Sequence, residues 1–480
     1  MADANARRLY VVALRKARSP ELASFLADAD SNIVAEALAA ISFENIETAI
    51  PALAEFSATP ACWKLSEVNV ARALNANMRL NNKAGAGRLL DVLANKDAPQ
   101  SARRMAGLLL RGFIKPWQMD FVEGKKLDWD SGKAPLAEDA KELLASRLGG
   151  ILSSADGDAL TAALKLAELA GFKADEATLL TIALNTKANE AARIEAIHSL
   201  GAKLALADLT TLTKEGSSAI RVAAIKGLVA SQPAAALPAL LAGRSAQGLD
   251  ERQVAWQGLG VLSAPEAVAA LKEGLASVNA GKNEEVALDI YLAAKKQATL
   301  ANEVKALEDK LNAGPAGVWI LAAKGGNAER GEKVFISPPS ACECLKCHKV
   351  GKKGASDAGP NLKGFLGHID AKASNADYSL LATVAPTADL APKFGFVSLV
   401  LNDGSNVTGV FLSEDAKGLK LKVGTEDKTF DLASIKTRSN ISPMPPLKAL
   451  VDSGIMKPED LRDLTQYLVK IGSDKSKDGH

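Results

Sequence analysis

The sequence predicts a mainly α protein: an α-solenoid of paired helices, then a smaller domain carrying a short antiparallel β insertion. Three observations lead there. A helical pattern anchored on arginine returns 28 and then 31 residues later. The apolar fraction is 48% but aromatics make up only 4%, so alanine- and leucine-rich helices can pack closely. After residue 394 the apolar pattern changes from a helical to a two-residue period. The expected domains are residues 1–312 and 313–480, with the insertion at about 394–435.

The repeats come first. Arg193 is followed by Ala196, Ile197 and Leu200, Arg221 by Ala224, Ile225 and Leu228, and Arg252 by Ala255, Trp256 and Leu259. These offsets put the apolar members on one helical face. An earlier copy stands at Arg103, Ala106, Gly107 and Leu110. A period of this length with two short helices per unit means stacked helix pairs, each burying its face on the next. The pattern resembles HEAT-type repeats. His198 lies beside its apolar face and is expected in solvent, while Cys62 is expected as a small core residue. The stretch from Lys115 to Leu136 interrupts the repeats and holds Trp117, Phe121 and Trp129. It reads as a surface loop pinned by its aromatics, or as a loop that docks a partner.

Charge excludes some functions. Lys and Arg number 58 against 56 Asp and Glu, so nothing argues for nucleic acid or a membrane surface. No run is long and apolar enough for a transmembrane helix. Glycine and proline at Asn312-Ala313-Gly314-Pro315 end the repeats.

The most specific feature follows. Cys344-Leu345-Lys346-Cys347-His348 is a CxxCH pentapeptide, the attachment signature of a c-type haem. Each thiol can form a thioether with a haem vinyl, and the histidine is placed to ligate the iron. A zinc site would need more ligands than the remaining Cys62, Cys342, His198, His368 and His480 supply at suitable spacing. A thioredoxin-like pair would need a βαβ context, which is missing. Cys342 is left as a thiol or as a disulfide partner of Cys62.

The flanks extend the pattern. Asn327 to Phe335 reads as a short helix containing Gly331-Glu332 and ending on an aromatic. Gly359-Pro360-Asn361-Leu362 is a turn, Ser442-Pro443-Met444-Pro445-Pro446 holds a methionine between prolines, and Lys457 to Lys470 is a helix with Leu461, Leu464, Tyr467 and Leu468 on one face. This ordered set resembles a class I cytochrome c. Between the GPNL turn and the methionine lie Phe396–Leu401, an Asn402-Asp403-Gly404-Ser405 hairpin turn, Asn406–Leu412, Leu419–Val423 and Thr429–Leu432, which read as a four-stranded meander.

Helical repeats followed by such an interrupted cytochrome resemble the C-terminal part of the Planctomycetes–Verrucomicrobia-type haem-binding proteins. GEKVF, CLKCH, GPNL, the Tyr378-Ser379-Leu380-Leu381 helix leading to Pro386, the Asp-Gly hairpin and SPMPP carry the likeness. The resemblances imply one covalent haem c, with His348 as proximal ligand, the carbonyl of Pro360 accepting a hydrogen bond from it, and Met444 as the sixth ligand. Met456 and His368 are the competing ligands, read instead as a packing residue and a surface or haem-edge residue.

The function expected is electron transfer, with no catalytic residue of its own; the resemblance implies a sugar or alcohol dehydrogenase as donor, with another cytochrome or an oxidase as acceptor. A ligand-binding haem sensor and an interaction scaffold with an accessory haem are the alternatives. Lys346, Lys349, Lys352 and Lys353 form a basic surface suited to an acidic redox partner. Covalent haem implies a periplasmic or otherwise exported protein. Met1 to Arg8 reads as neither a signal peptide nor a lipid anchor, so an export signal is expected ahead of it.

Overall fold

The structure, a computed structural model, describes residues 3–115, 117, 119–120, 122–126, 137–336, 344–352, 354, 358–368 and 374–474. It comprises two compact units, Met1–Gln232 and Pro233–His480. The chain is mainly helical, with a small antiparallel sheet near its C-terminus.

In the first unit the repeat pattern becomes a core. Ala106, Leu110, Ala196, Ile197, Leu200, Ala224, Ile225 and Leu228 are all buried. Small residues matter where helices cross: a Cβ on Gly107 would lie 2.7 Å from that of Ala162. The marker arginines have a role that periodicity alone does not reveal. Arg103 donates from Nε to the Leu93 carbonyl (3.1 Å), near the end of the Lys83–Ala94 helix, and from Nη1 to Asp156 (2.6 Å). Arg193 does the same with the Ala183 carbonyl (2.9 Å) and Glu215 (3.2 Å). The last carbonyls of a helix lack partners within it, and one guanidinium has enough donors to satisfy a carbonyl and still pair with a carboxylate of the next repeat. His198 is exposed and Cys62 is fully buried. Burial pushes the Cys62 thiol up to about 12, so it is inert.

The interrupting loop is held by carboxylates. Strands β1 (Met119–Asp120) and β2 (Lys125–Lys126) form a small hairpin. Buried Asp120 accepts from Arg79 Nη2 (2.6 Å) and Asn75 Nδ2 (2.8 Å), and Glu123 accepts from Arg72 Nε (2.9 Å) and Ser42 Oγ (2.6 Å). Burial pushes the Asp120 carboxyl up, but these partners bring it below the usual range. Trp117 packs beside Gly112; Phe121 and Trp129 lie outside the described residues.

In the second unit, helices from Pro233–Gly243 to Ala301–Leu311 lead into a short 3-10 turn at Gly317–Ala322. Residue 312, where glycine and proline suggest a domain boundary, falls inside this unit. Asn312 Oδ1 accepts from the Val318 amide (3.1 Å), and Gln253 Nε2 donates to the Gly325 carbonyl (2.7 Å). The deepest link joins the repeat helix Ala287–Ala294 to the last helix, Pro458–Gly472. Arg462 Nη1 lies 2.6 Å from Asp289 Oδ2, with both side chains at most 3% exposed, and Gln257 Nε2 donates to Asp289 Oδ1 (2.6 Å). Burial raises the Asp289 carboxyl pKa, while Arg462 and Gln257 oppose that rise.

The sheet has five strands: β3 (Phe396–Leu401), β4 (Asn406–Asp415), β5 (Gly418–Val423), β6 (Glu426–Phe430) and β7 (Ile435–Ile441), ordered β6-β5-β4-β3-β7 and antiparallel throughout. Its core is Leu390, Val397, Leu399, Phe411, Leu419 and Leu421. Strand β7 extends the insertion beyond residue 435. It is an edge strand with polar residues on both faces, so it carries no apolar alternation to read.

Removing one partner of a buried ion pair strands the other. Arg462→Ala is expected to destabilise the second unit by about 3–5 kcal/mol, whereas Asp289→Leu with Arg462→Met together should cost far less. Urea unfolding followed by tryptophan fluorescence checks both.

Candidate functional site

The site is built on a crossing of two helices. Asn327 Oδ1 caps the Ala328–Ile336 helix by accepting from the amides of Glu329 and Arg330 (both 2.9 Å). That helix crosses Pro458–Gly472 at Gly331, where any Cβ would collide with the Asp463 carbonyl. Asp463 receives the Asn327 amide (2.7 Å) and Arg330 Nε (2.6 Å). Phe335 lies against Tyr467, with ring centroids 5.2 Å apart. On the last helix Leu461, Leu464, Tyr467 and Leu468 are buried, the face expected from their spacing. Pro458 and acidic Glu459 and Asp460 occupy its first turn, where the helix dipole favours them.

Beyond this crossing, Cys344–Cys347 forms a single helical turn, closed by the His348 amide donating to the Cys344 carbonyl (2.9 Å). The chain then returns along itself. The Gly359 amide donates to the Cys347 carbonyl (2.7 Å), and the Leu362 amide to the Lys349 carbonyl (2.8 Å). Nδ1 of His348 lies 2.8 Å from the Pro360 carbonyl oxygen. A carbonyl can only accept, so Nδ1 carries the proton and Nε2 keeps its lone pair in the neutral ring. Gly359 makes room for this contact: a Cβ there would sit 2.7 Å from His348 Cε1 and 2.8 Å from Nδ1. Chemically, the arrangement offers two thiols one helical turn apart and an oriented imidazole with a ligating nitrogen available.

Cys344, Cys347, His348 and Pro360 therefore share one connected turn. Met444 stands elsewhere in the chain, half-buried in the turn after β7, its amide donating to Ser442 Oγ (3.1 Å). Met456 is 3% exposed and belongs to the core. The His368 side chain, Cys342, Pro338, Pro339, Lys353 and His480 lie outside the described residues. Among the described residues no group of three or more His, Cys, Asp or Glu side chains is placed to hold a metal ion. Sequence reasoning missed Asn361, whose side-chain amide binds the backbone of the loop facing it. It also missed Asp463, the receiver at the helix crossing.

No family model and no curated protein matches the chain. Among solved structures it is similar to human deoxyhypusine hydroxylase in complex with glycerol, at 17% identity over 60% of this chain and 98% of that one, with a TM-score of 0.24. It is similar to Kap121p at 13% identity over 72% of this chain and 47% of that one, TM-score 0.38. It is also similar to the complex of CpcE and CpcF of phycocyanin lyase from Nostoc sp. PCC7120, at 17% identity over 61% and 94%, TM-score 0.22. Likenesses this distant say nothing of activity.

These findings correct the resemblance to the Planctomycetes–Verrucomicrobia-type haem-binding proteins. No family model matches the chain, and among the described residues no group of three or more His, Cys, Asp or Glu side chains is placed to hold a metal ion. The physical reason lies in what carried the likeness. Pentapeptides and turns such as GPNL are specified by local chemistry, and local chemistry recurs without common descent. What stands is a mainly helical chain with a small C-terminal antiparallel sheet.

Gly359→Ala is expected to push the turn away from the imidazole and to cost about 1–3 kcal/mol, as overpacking does. Faster exchange of the His348 Nδ1 proton, followed by NMR, together with a lower urea midpoint, checks it.

Proposed function

We propose that the chain carries one covalent haem c on Cys344 and Cys347 and serves in electron transfer. On this reading the segment from Ala328 to Gly472 is a class I cytochrome c-like domain, interrupted by the five-stranded sheet and mounted on helical repeats. The observation that carries the reading is the contact between His348 Nδ1 and the Pro360 carbonyl, next to paired thiols. An imidazole held by a backbone acceptor at one nitrogen is the usual state of a metal-ligating histidine.

The residues present fit the group. Cys344 is half-buried and Cys347 exposed, so both thiols can be reached for thioether formation. His348 would ligate through Nε2. Met444 would supply a soft, neutral second ligand that favours the reduced metal. Pro443, Pro445 and Pro446 restrict the turn that presents it and lower the entropy lost on ligation. The burial of Met456 supports choosing Met444 over it. When bound, haem c supplies one-electron chemistry at its iron.

The remaining residues bear on partners. Lys346 and Lys352 are exposed on the attachment loop, and Lys349 is half-buried there. Such a surface favours an acidic redox protein: a dehydrogenase as donor, another cytochrome or an oxidase as acceptor. Covalent attachment implies an exported location.

The test is expression of the full chain in a host that matures c-type haem. One porphyrin of added mass is expected, with a low-spin spectrum showing the methionine–iron charge-transfer band. Met444→Ala should abolish that band and let carbon monoxide bind the reduced protein. A colourless chain without added mass sinks the proposal.

A further inference from the structure

We propose that Asn361 is the positioning residue that sets the His348 ring, by clamping the turn that presents the Pro360 carbonyl. The inference rests on the haem reading above and concerns a side chain that this reading does not use. Three contacts carry it. Asn361 Oδ1 accepts from the Gly351 amide (3.0 Å), Asn361 Nδ2 donates to the Gly351 carbonyl (3.0 Å), and Oδ1 also accepts from the Lys363 amide (3.1 Å).

The first two contacts have the form of a strand pair made by a side chain. They tie the segment just after Pro360 to the segment just after His348. Gly351 takes φ +63, a left-handed value that turns both of its polar groups toward one partner. The backbone bonds Gly359 to Cys347 (2.7 Å) and Leu362 to Lys349 (2.8 Å) bracket the same region. Pro360 has no amide proton of its own and cannot help hold its carbonyl in place. Between those brackets Asn361 is the adjacent side chain that fixes the turn, and its contact with Gly351 spans the gap that the His348–Pro360 bond must span.

The effect on the metal follows from the strength of that bond. A well-aligned Nδ1–H to carbonyl bond makes Nε2 more electron-rich and favours the oxidised iron. Loosening the clamp weakens the bond, favours the reduced form, and raises the reduction potential. A residue that merely adds stability would not move the potential in a fixed direction.

The experiment uses the full chain loaded with haem in a maturing host. Asn361→Ala is compared with wild type and with Asn440→Ala, which removes a side-chain bond to the Thr387 carbonyl (3.0 Å) elsewhere in the same unit. Expected are a raised potential and a shifted His348 Nδ1 proton resonance in Asn361→Ala. Asn440→Ala should keep the wild-type potential. A wild-type potential and an unmoved resonance in Asn361→Ala overturn the proposal, as does an equal potential shift in Asn440→Ala. Should Asn361→Ala fail to load, Asn361→Gln carries the same test, since it keeps the amide but displaces it by one methylene. A raised potential is again expected, and a wild-type value again overturns the proposal. A wild-type chain whose mass shows no porphyrin overturns the haem reading itself, an outcome distinct from any result for Asn361.

Discussion

The close crossing of the Ala328–Ile336 and Pro458–Gly472 helices at Gly331 is the constraint on which the second unit depends. Backbone meets backbone there, because Gly331 has no Cβ to hold the helices apart. Two successive residues of the last helix then work in opposite directions. Asp463 collects the Asn327 amide and the Arg330 guanidinium from the helix that leads to the CxxCH turn. Arg462 reaches Asp289 in the last repeats. The repeats and the segment bearing the candidate site are thus ends of one polar chain of contacts through a single helix. A buried ion pair adds little net stability once desolvation is counted, but it penalises misplacement heavily. Its effect is to specify the position of the last helix, against which the Ala328–Ile336 helix packs.

The sheet shows how a long excursion of the chain can leave the turns on either side of it undisturbed. Phe396 at the start of β3 pairs with Ile441 at the end of β7. The chain leaves and returns at neighbouring points, so the excursion closes on itself around its own core of Val397, Leu399, Phe411, Leu419 and Leu421. Closing a long loop costs only slowly more entropy as it lengthens, and the ladder offsets that cost within the insertion. The turn holding Met444 follows directly and leads into the Leu447–Asp452 helix. Whatever the sheet does, it need not strain the residues on either side.

Much of the candidate site was legible before any coordinates. Gly359-Pro360-Asn361-Leu362 read as a turn, and the resemblance to class I cytochromes implied a Pro360 carbonyl accepting from His348, whose Nδ1 lies 2.8 Å from that oxygen. The apolar spacing of Leu461, Leu464, Tyr467 and Leu468 named the buried face of the last helix. Strand β7 was not legible, because Lys436, Thr437, Arg438 and Ser439 alternate nothing and the strand gains its place from pairing with β3. Family membership was the reading that failed, since turns and short motifs report local bonding and not descent.

By itself the sequence determined the local periods: the arginine-led helical faces, the thiol pair with its histidine, and the strand alternation after residue 394. These follow from geometry that a few neighbouring residues enforce. Only the tertiary structure decided that residue 312 lies within a packed unit, that Arg462 belongs to Asp289, and that Asn361 clasps Gly351. The reason is physical. A buried polar group must find a partner, and which partner it finds depends on what the folded chain brings within hydrogen-bonding distance, however far apart the two lie in sequence.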